Sequence, residues 1–187
     1  MKLLLKNCAI LAAEGTGFRC LENAYLGIDG DTIDYIGADK PQAAYDREKD
    51  MTGRMLLPGL INCHGHSPMV LLRGIGSDLP LQEWLFEKMM PIEDRLTAED
   101  IKTGNALALL EMISTGTTSY SDMYFEPQTA VENAIACGVK ANLSRPVQCF
   151  NKDETYEENH RARESIRLFK DYHGAADGRV RIDFAIH

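Results

Sequence analysis

The chain has 187 residues, 44% of them hydrophobic, a formal net charge of −8 and an isoelectric point near 5.1. That acidity argues against a nucleic-acid or anionic-membrane surface, and no run approaches the roughly 20 apolar residues of a membrane span. Five scattered cysteines (Cys8, Cys20, Cys63, Cys137, Cys149) form no Cys-x-x-Cys pair and suit reduced thiols in a cytoplasmic protein.

The opening Met1-Lys2-Leu3-Leu4-Leu5-Lys6 is interrupted by Lys6 before a secretory core forms, so it reads as a strand. Residues 2–12 are apolar-rich, Gly15-Thr16-Gly17 breaks them, and residues 24–28 resume a strand. Asp29-Gly30-Asp31 supplies a turn and residues 32–36 alternate again, which predicts a hairpin. Residues 40–50 are polar and lack a strong period. The segment 1–54 is therefore expected to be an all-β module, too small to bury much by itself.

From Met55 the pattern becomes α/β. Residues 56–63 form an apolar strand, and residues 81–89 and 97–115 are helical, the second opening on the capping-box-like Thr97-x-x-Asp100. Gly116 stops that helix, and residues 117–122 make a second strand. Pro127 starts a helix over 127–137 that Gly138 ends. Residues 140–147 are a third strand, and 156–172 a charged amphipathic helix with Ile166 and Phe169 inward. Asp177-Gly178 turns the chain into a fourth strand over 180–186. Such alternation implies parallel pairing with right-handed crossovers. A complete (β/α)8 barrel needs about 250 residues. Residues 55–187 are thus expected to be the first four β/α units of a truncated barrel, with an exposed sheet edge that favours association with another chain.

The first strand ends in His64-Gly65-His66. Side chains at i and i+2 of a strand share a face, so both imidazoles would aim at one point, where they could hold a divalent ion. In a barrel that end is where active sites sit. The alternative is a pair of surface histidines in a polar turn. Cys63 should face the other way and pack.

The stretch Leu-Pro-Gly-Leu-Ile-Asn-Cys-His-Gly-His, followed by Pro68-Met69 and Leu72-Arg73-Gly74, resembles the amidohydrolase superfamily. Leu81-Gln82-Glu83-Trp84-Leu85-Phe86, Pro91-Ile92-Glu93-Asp94-Arg95-Leu96 and Ser121-Asp122-Met123-Tyr124-Phe125 are similar to its S-adenosylhomocysteine/5′-methylthioadenosine deaminase group, with triazine hydrolases as relatives. The resemblance implies a metal-dependent (β/α)8 TIM barrel joined to a small composite β-sandwich. The chain would carry the N-terminal part of the sandwich (1–54) and the first half of the barrel (55–187).

By the same resemblance His64 and His66 are the first two ligands of one Zn²⁺ or Fe²⁺, which would lower the pKa of a bound water toward about 7. A third histidine, an aspartate and an acid/base glutamate would come from later strands of the family fold. Trp84 would wall a nucleoside pocket, or pack in the core. Glu93 would accept hydrogen bonds from the ribose hydroxyls, or be a solvated acid. Arg145, at the tip of the third strand, would contact the substrate, or pair with a neighbouring acid. His187, at the end of the fourth strand, would contact the purine, or act as a further ligand. Asp122 is either an acceptor behind the ligands or structural. Arg161 and Arg163 lie on a helix with acidic partners of their own, and His160 and His173 are given no role.

The reading is metal-dependent hydrolytic deamination of a 6-aminopurine nucleoside (S-adenosylhomocysteine, methylthioadenosine or adenosine), by a protein of which this chain alone is inactive. The alternatives are guanine deamination, s-triazine hydrolysis, or a non-catalytic barrel piece that associates with another chain.

Overall fold

A computed structural model describes residues 1–149 and 151–186. The chain divides into two compact units, Met1–Pro58 and Gly59–His187.

The first unit is a single five-stranded sheet in the order β3-β2-β1-β4, with β5 also on β1. Strands β1 (Lys2–Glu14) and β2 (Gly17–Asp29) pair antiparallel, with Gly15 at φ 59° in the turn between them. Gly30 at φ 63° makes the tight turn from Asp29 to Thr32 that starts β3 (Thr32–Gly37), a conformation glycine reaches without steric cost. Cys8, Ile10, Ala24 and Leu26 form its buried cluster. Strand β4 (Arg47–Asp50) lies parallel to β1 inside the polar segment that lacks a strong period. All four of its side chains are exposed, so no apolar alternation marks it.

The strand expected over 56–63 is two strands. Strand β5 (Met55–Leu56) pairs with β1, whereas β6 (Leu60–Asn62) belongs to the second unit. Pro58 cannot donate to a ladder. Gly59 passes so close to Thr118 that a Cβ there would collide with the Thr118 hydroxyl.

The second unit is built on a four-stranded parallel sheet, β10-β8-β7-β6, with β7 (Thr117–Met123), β8 (Lys140–Ser144) and β10 (Val180–Ile182). Helix α3 (Ala98–Ser114) joins β6 to β7, α4 (Pro127–Cys137) joins β7 to β8, and α5 (His160–Tyr172) follows β8. The core is Leu109, Tyr120, Val131, Ala134, Ala141, Leu143, Leu168, Val180 and Ile182 with their neighbours. Helix α3 carries the expected cap: Thr97 Oγ1 accepts from the Asp100 amide at 3.2 Å and Asp100 accepts from the Thr97 amide at 2.9 Å. Pro127 opens α4, and Gly138, at φ 77°, closes it.

Other boundaries differ from expectation for local reasons. The third strand stops at Ser144, and β9 (Pro146–Val147) pairs separately with β11 (Ala185–Ile186), splitting the fourth strand as well. The helical segment after the 3-10 turn Ser67–Leu72 runs through α1 (Leu81–Glu83), a π-helical turn Trp84–Met89 and α2 (Met90–Glu93). Pro91 has no amide to give, and the turn before it re-registers so that the Met90 amide bonds Leu85 O, five residues back. Helix α5 begins at His160, where the Asn159 side chain accepts from the Ala162 amide at 3.0 Å. Its inward face is Ala162, Ser165 and Leu168; Phe169 is exposed, its ring tilted against that of His173 at 4.4 Å. No helix among the described residues is long and apolar enough to cross a membrane.

Candidate metal centre

Strand β6 ends at Asn62, and Cys63 to His66 run on as a loop at the C-terminal end of the parallel sheet. That loop is fastened to the end of β7. The Met123 amide donates to Gly65 O at 3.2 Å, and His66 Nδ1 lies 2.8 Å from Met123 O. A carbonyl oxygen only accepts, so Nδ1 carries the hydrogen and the Nε2 lone pair of the neutral ring is left for a ligand. The His64 and His66 rings are 5.0 Å apart, nearly perpendicular. Two imidazoles bound to one tetrahedral ion at about 2.0–2.1 Å place their ring centres roughly 5 Å apart. The pair therefore fits a shared divalent ion. Among the described residues, no group of three or more His, Cys, Asp or Glu side chains completes such a site. Cys63, expected to pack, is exposed, its thiol near Ile61 O; on a loop beyond the strand end there is no sheet face for it to pack against.

Behind the loop stands a buried polar network. Asp122 accepts from the Ser67 amide at 3.0 Å and from the Ser67 hydroxyl. Ser67 Oγ in turn accepts from Asn105 Nδ2 at 2.7 Å. Burial holds the Asp122 carboxyl above its ordinary value, and the bonds from Ser67 offset only part of that. Asp122 is thus an acceptor one residue removed from His66, bonded to Ser67.

Glu93 ends α2 and accepts from the Tyr124 hydroxyl at 2.6 Å. The Tyr124 ring lies 6.5 Å from that of His66, so Glu93 and His66 neighbour the same tyrosine. Burial, and then the bond to Glu93, push the Tyr124 phenol well up, so it stays a donor. Trp84 is half-buried on the π-helical turn, packed over Gly76, where a Cβ would lie 3.0 Å from Trp84 Cδ1.

Arg145 does not join this group. The chain leaves β8 at Arg145, and the side chain turns to α5, where Nε donates to Glu164 at 2.8 Å and the guanidinium covers the Phe125 ring at 5.3 Å. It lines a cleft of about 290 Å³ with Phe125, Gln128, Glu164, Arg167 and Tyr172. The pairing with a neighbouring acid is the arrangement present. Arg163 caps the backbone carbonyls of Glu157 and Glu158 and not an acidic side chain. His160 and His173 are exposed. His187 lies outside the described residues.

Sequence reasoning missed Ser67, Asn105 and Tyr124. Asn105 had a signal: it stands on the stripe of Ile101, Ala108 and Leu109, where an apolar residue is expected. Tyr124 stands in the Ser121–Phe125 stretch that carries the resemblance, but nothing local marks its hydroxyl as the partner of Glu93.

The amidohydrolase family model matches residues 55–187. A 5-methylthioadenosine/S-adenosylhomocysteine deaminase of Thermoanaerobacter pseudethanolicus is 36% identical over 187 residues, covering 100% of this chain and 43% of that protein. An adenosine deaminase from Xanthomonas campestris, solved with bound zinc, superposes with a TM-score of 0.76 at 25% identity, covering 99% of this chain and 42% of that one. An atrazine chlorohydrolase from Arthrobacter aurescens TC1, complexed with zinc, gives a TM-score of 0.85 at 23% identity, over 98% of this chain and 46% of that one. The chain spans less than half the length of these relatives.

Proposed function

This chain belongs to the amidohydrolase family, and from that premise we propose that it supplies the first metal ligands, His64 and His66, of an enzyme that hydrolytically removes the 6-amino group of a purine nucleoside. The observation that carries the proposal is the pair itself: two rings 5.0 Å apart, one with Nδ1 committed to a backbone carbonyl. Zinc is the proposed ion, supported by the zinc in two solved relatives. When bound, it supplies the Lewis acidity that makes water a nucleophile at neutral pH.

The nucleoside reading draws on the deaminase relative and on Glu93. Tyr124 occupies Oε1 of that carboxylate, and the proposal assigns Oε2 to the ribose hydroxyls. Trp84 is proposed as a pocket wall and His187 as a purine contact. Arg145, engaged by Glu164, is left out of the substrate contacts. The described residues offer two metal ligands and no third, so the isolated chain is expected to bind metal weakly and to be inactive. The exposed Leu60 and Ile61 on β6 support association through that strand, and five free cysteines suit a reducing cytoplasm.

An assay of ammonia and chloride release on a full-length protein carrying this sequence, comparing methylthioadenosine, guanine and a chloro-s-triazine, tests the reading. Turnover of methylthioadenosine is expected. Inert nucleosides beside turnover of guanine or the triazine would overturn it in favour of those chemistries.

A further inference from the structure

Asn105 is 0% exposed in the middle of a 17-residue helix, on the face that packs against the sheet and the 3-10 turn. A buried amide is tolerated only when its groups are paired. Here the pairs run in one direction. Asn133 Nδ2 donates to Asn105 Oδ1 at 2.9 Å and to Lys102 O at 2.9 Å. Asn105 Nδ2 donates to Ser67 Oγ, which leaves the Ser67 hydrogen free to point only at Asp122. The chain ends one residue from His66. The helix also meets this turn by backbone contact: a Cβ on Gly104 would lie 2.7 Å from Pro68 O. An apolar residue at 105 would fill the stripe but leave Ser67 without its donor.

We propose that Asn105, seconded by Asn133, is a positioning residue for His66. It fixes the orientation of Ser67 on Asp122, and Ser67 holds the preceding residue so that His66 Nδ1 meets Met123 O and Nε2 is left for an ion. The consequence for metal rests on the reading of His64 and His66 given above; the positioning does not, because it is a property of the metal-free chain. Free neutral histidine prefers its hydrogen on Nε2. A protein that enforces the Nδ1–H form therefore declares itself spectroscopically.

The test uses the full 187-residue chain without metal at pH 8, with the His66 tautomer read from long-range ¹⁵N–¹H correlations and zinc affinity from calorimetry. The wild type is expected to show Nδ1–H. Asn105→Leu, with its fold verified by circular dichroism, is expected to shift His66 toward Nε2–H and to weaken zinc binding about tenfold, the lower range for removing a group behind a ligand. Should that variant fail to fold, Asn133→Ala, which removes one bond to Asn105, is expected to move the tautomer in the same direction. A folded variant that keeps the Nδ1–H form overturns the proposal. A tautomer shift in a chain that binds no zinc in either form sustains the positioning and sinks the metal reading instead.

Discussion

The Tyr124 hydroxyl reaches Glu93 Oε1 across 2.6 Å, tying the end of α2 to the residue after β7. A hydrogen bond to a charged group is worth about 1.5–3 kcal/mol. In a full-length protein carrying this sequence, Tyr124→Phe should raise KM for methylthioadenosine about tenfold with kcat nearly unchanged. Its effect on 2′,3′-dideoxyadenosine, which offers no diol, should be small. Equal losses on both substrates would remove Glu93 from ribose recognition.

Gly104 sets helix α3 against the turn that follows His66. Alanine is the better helix former by about 1 kcal/mol, so an exposed helical glycine would gain from the change. Here the new methyl would meet Pro68 O at 2.7 Å and Pro68 Cα at 3.0 Å, both backbone. Gly104→Ala should lower the thermal midpoint, measured by circular dichroism. A rise would show that the turn yields freely.

The cap of α3 gives a pH dependence of defined sign. Bonds from the Thr97 hydroxyl and amide hold the Asp100 carboxyl below its ordinary value. Its contribution is therefore fully present above the unfolded carboxylate pKa and is lost as pH falls through the folded one. Thr97→Ala should cost about 1 kcal/mol near neutrality. The gap between the two midpoints should narrow as the pH falls below about 4.

Strand β6 pairs with β7 on one side and presents Leu60 and Ile61, 58% and 69% exposed, at the end of the sheet. Ile61→Lys places a charge on this edge, a change that discourages strand pairing. Sedimentation should find the unsubstituted chain associated and the variant shifted toward monomer. A monomeric wild type would contradict the proposed association.

What was legible in the residues followed from patterns that burial enforces. The Thr97–Asp100 cap, the Pro127 and Gly138 ends of α4 and the hairpin around Gly30 are local chemistry, and the structure carries each. Strand β4 escaped because its side chains are all exposed and its place is set by backbone bonds to β1. The splits at Pro58 and Arg145 escaped because the residues on both sides of each break read as strand, and a local pattern does not reveal which sheet each half joins. In the site, His64 and His66 were visible as a motif, whereas Ser67, Asn105 and Tyr124 act through contacts between residues 31 to 55 positions apart. Arg145 shows the converse: a strand-end position suggested the mouth, and Glu164, 19 residues on, took the side chain to α5.

Zinc K-edge absorption on the 187-residue chain loaded with one equivalent of Zn²⁺, beside His64→Ala and His66→Ala, tests the shared-ion geometry most directly. The account predicts two imidazole nitrogens at about 2.0–2.1 Å in the unsubstituted chain, with one lost in each variant together with most of the affinity. Identical spectra and affinities in all three would contradict it.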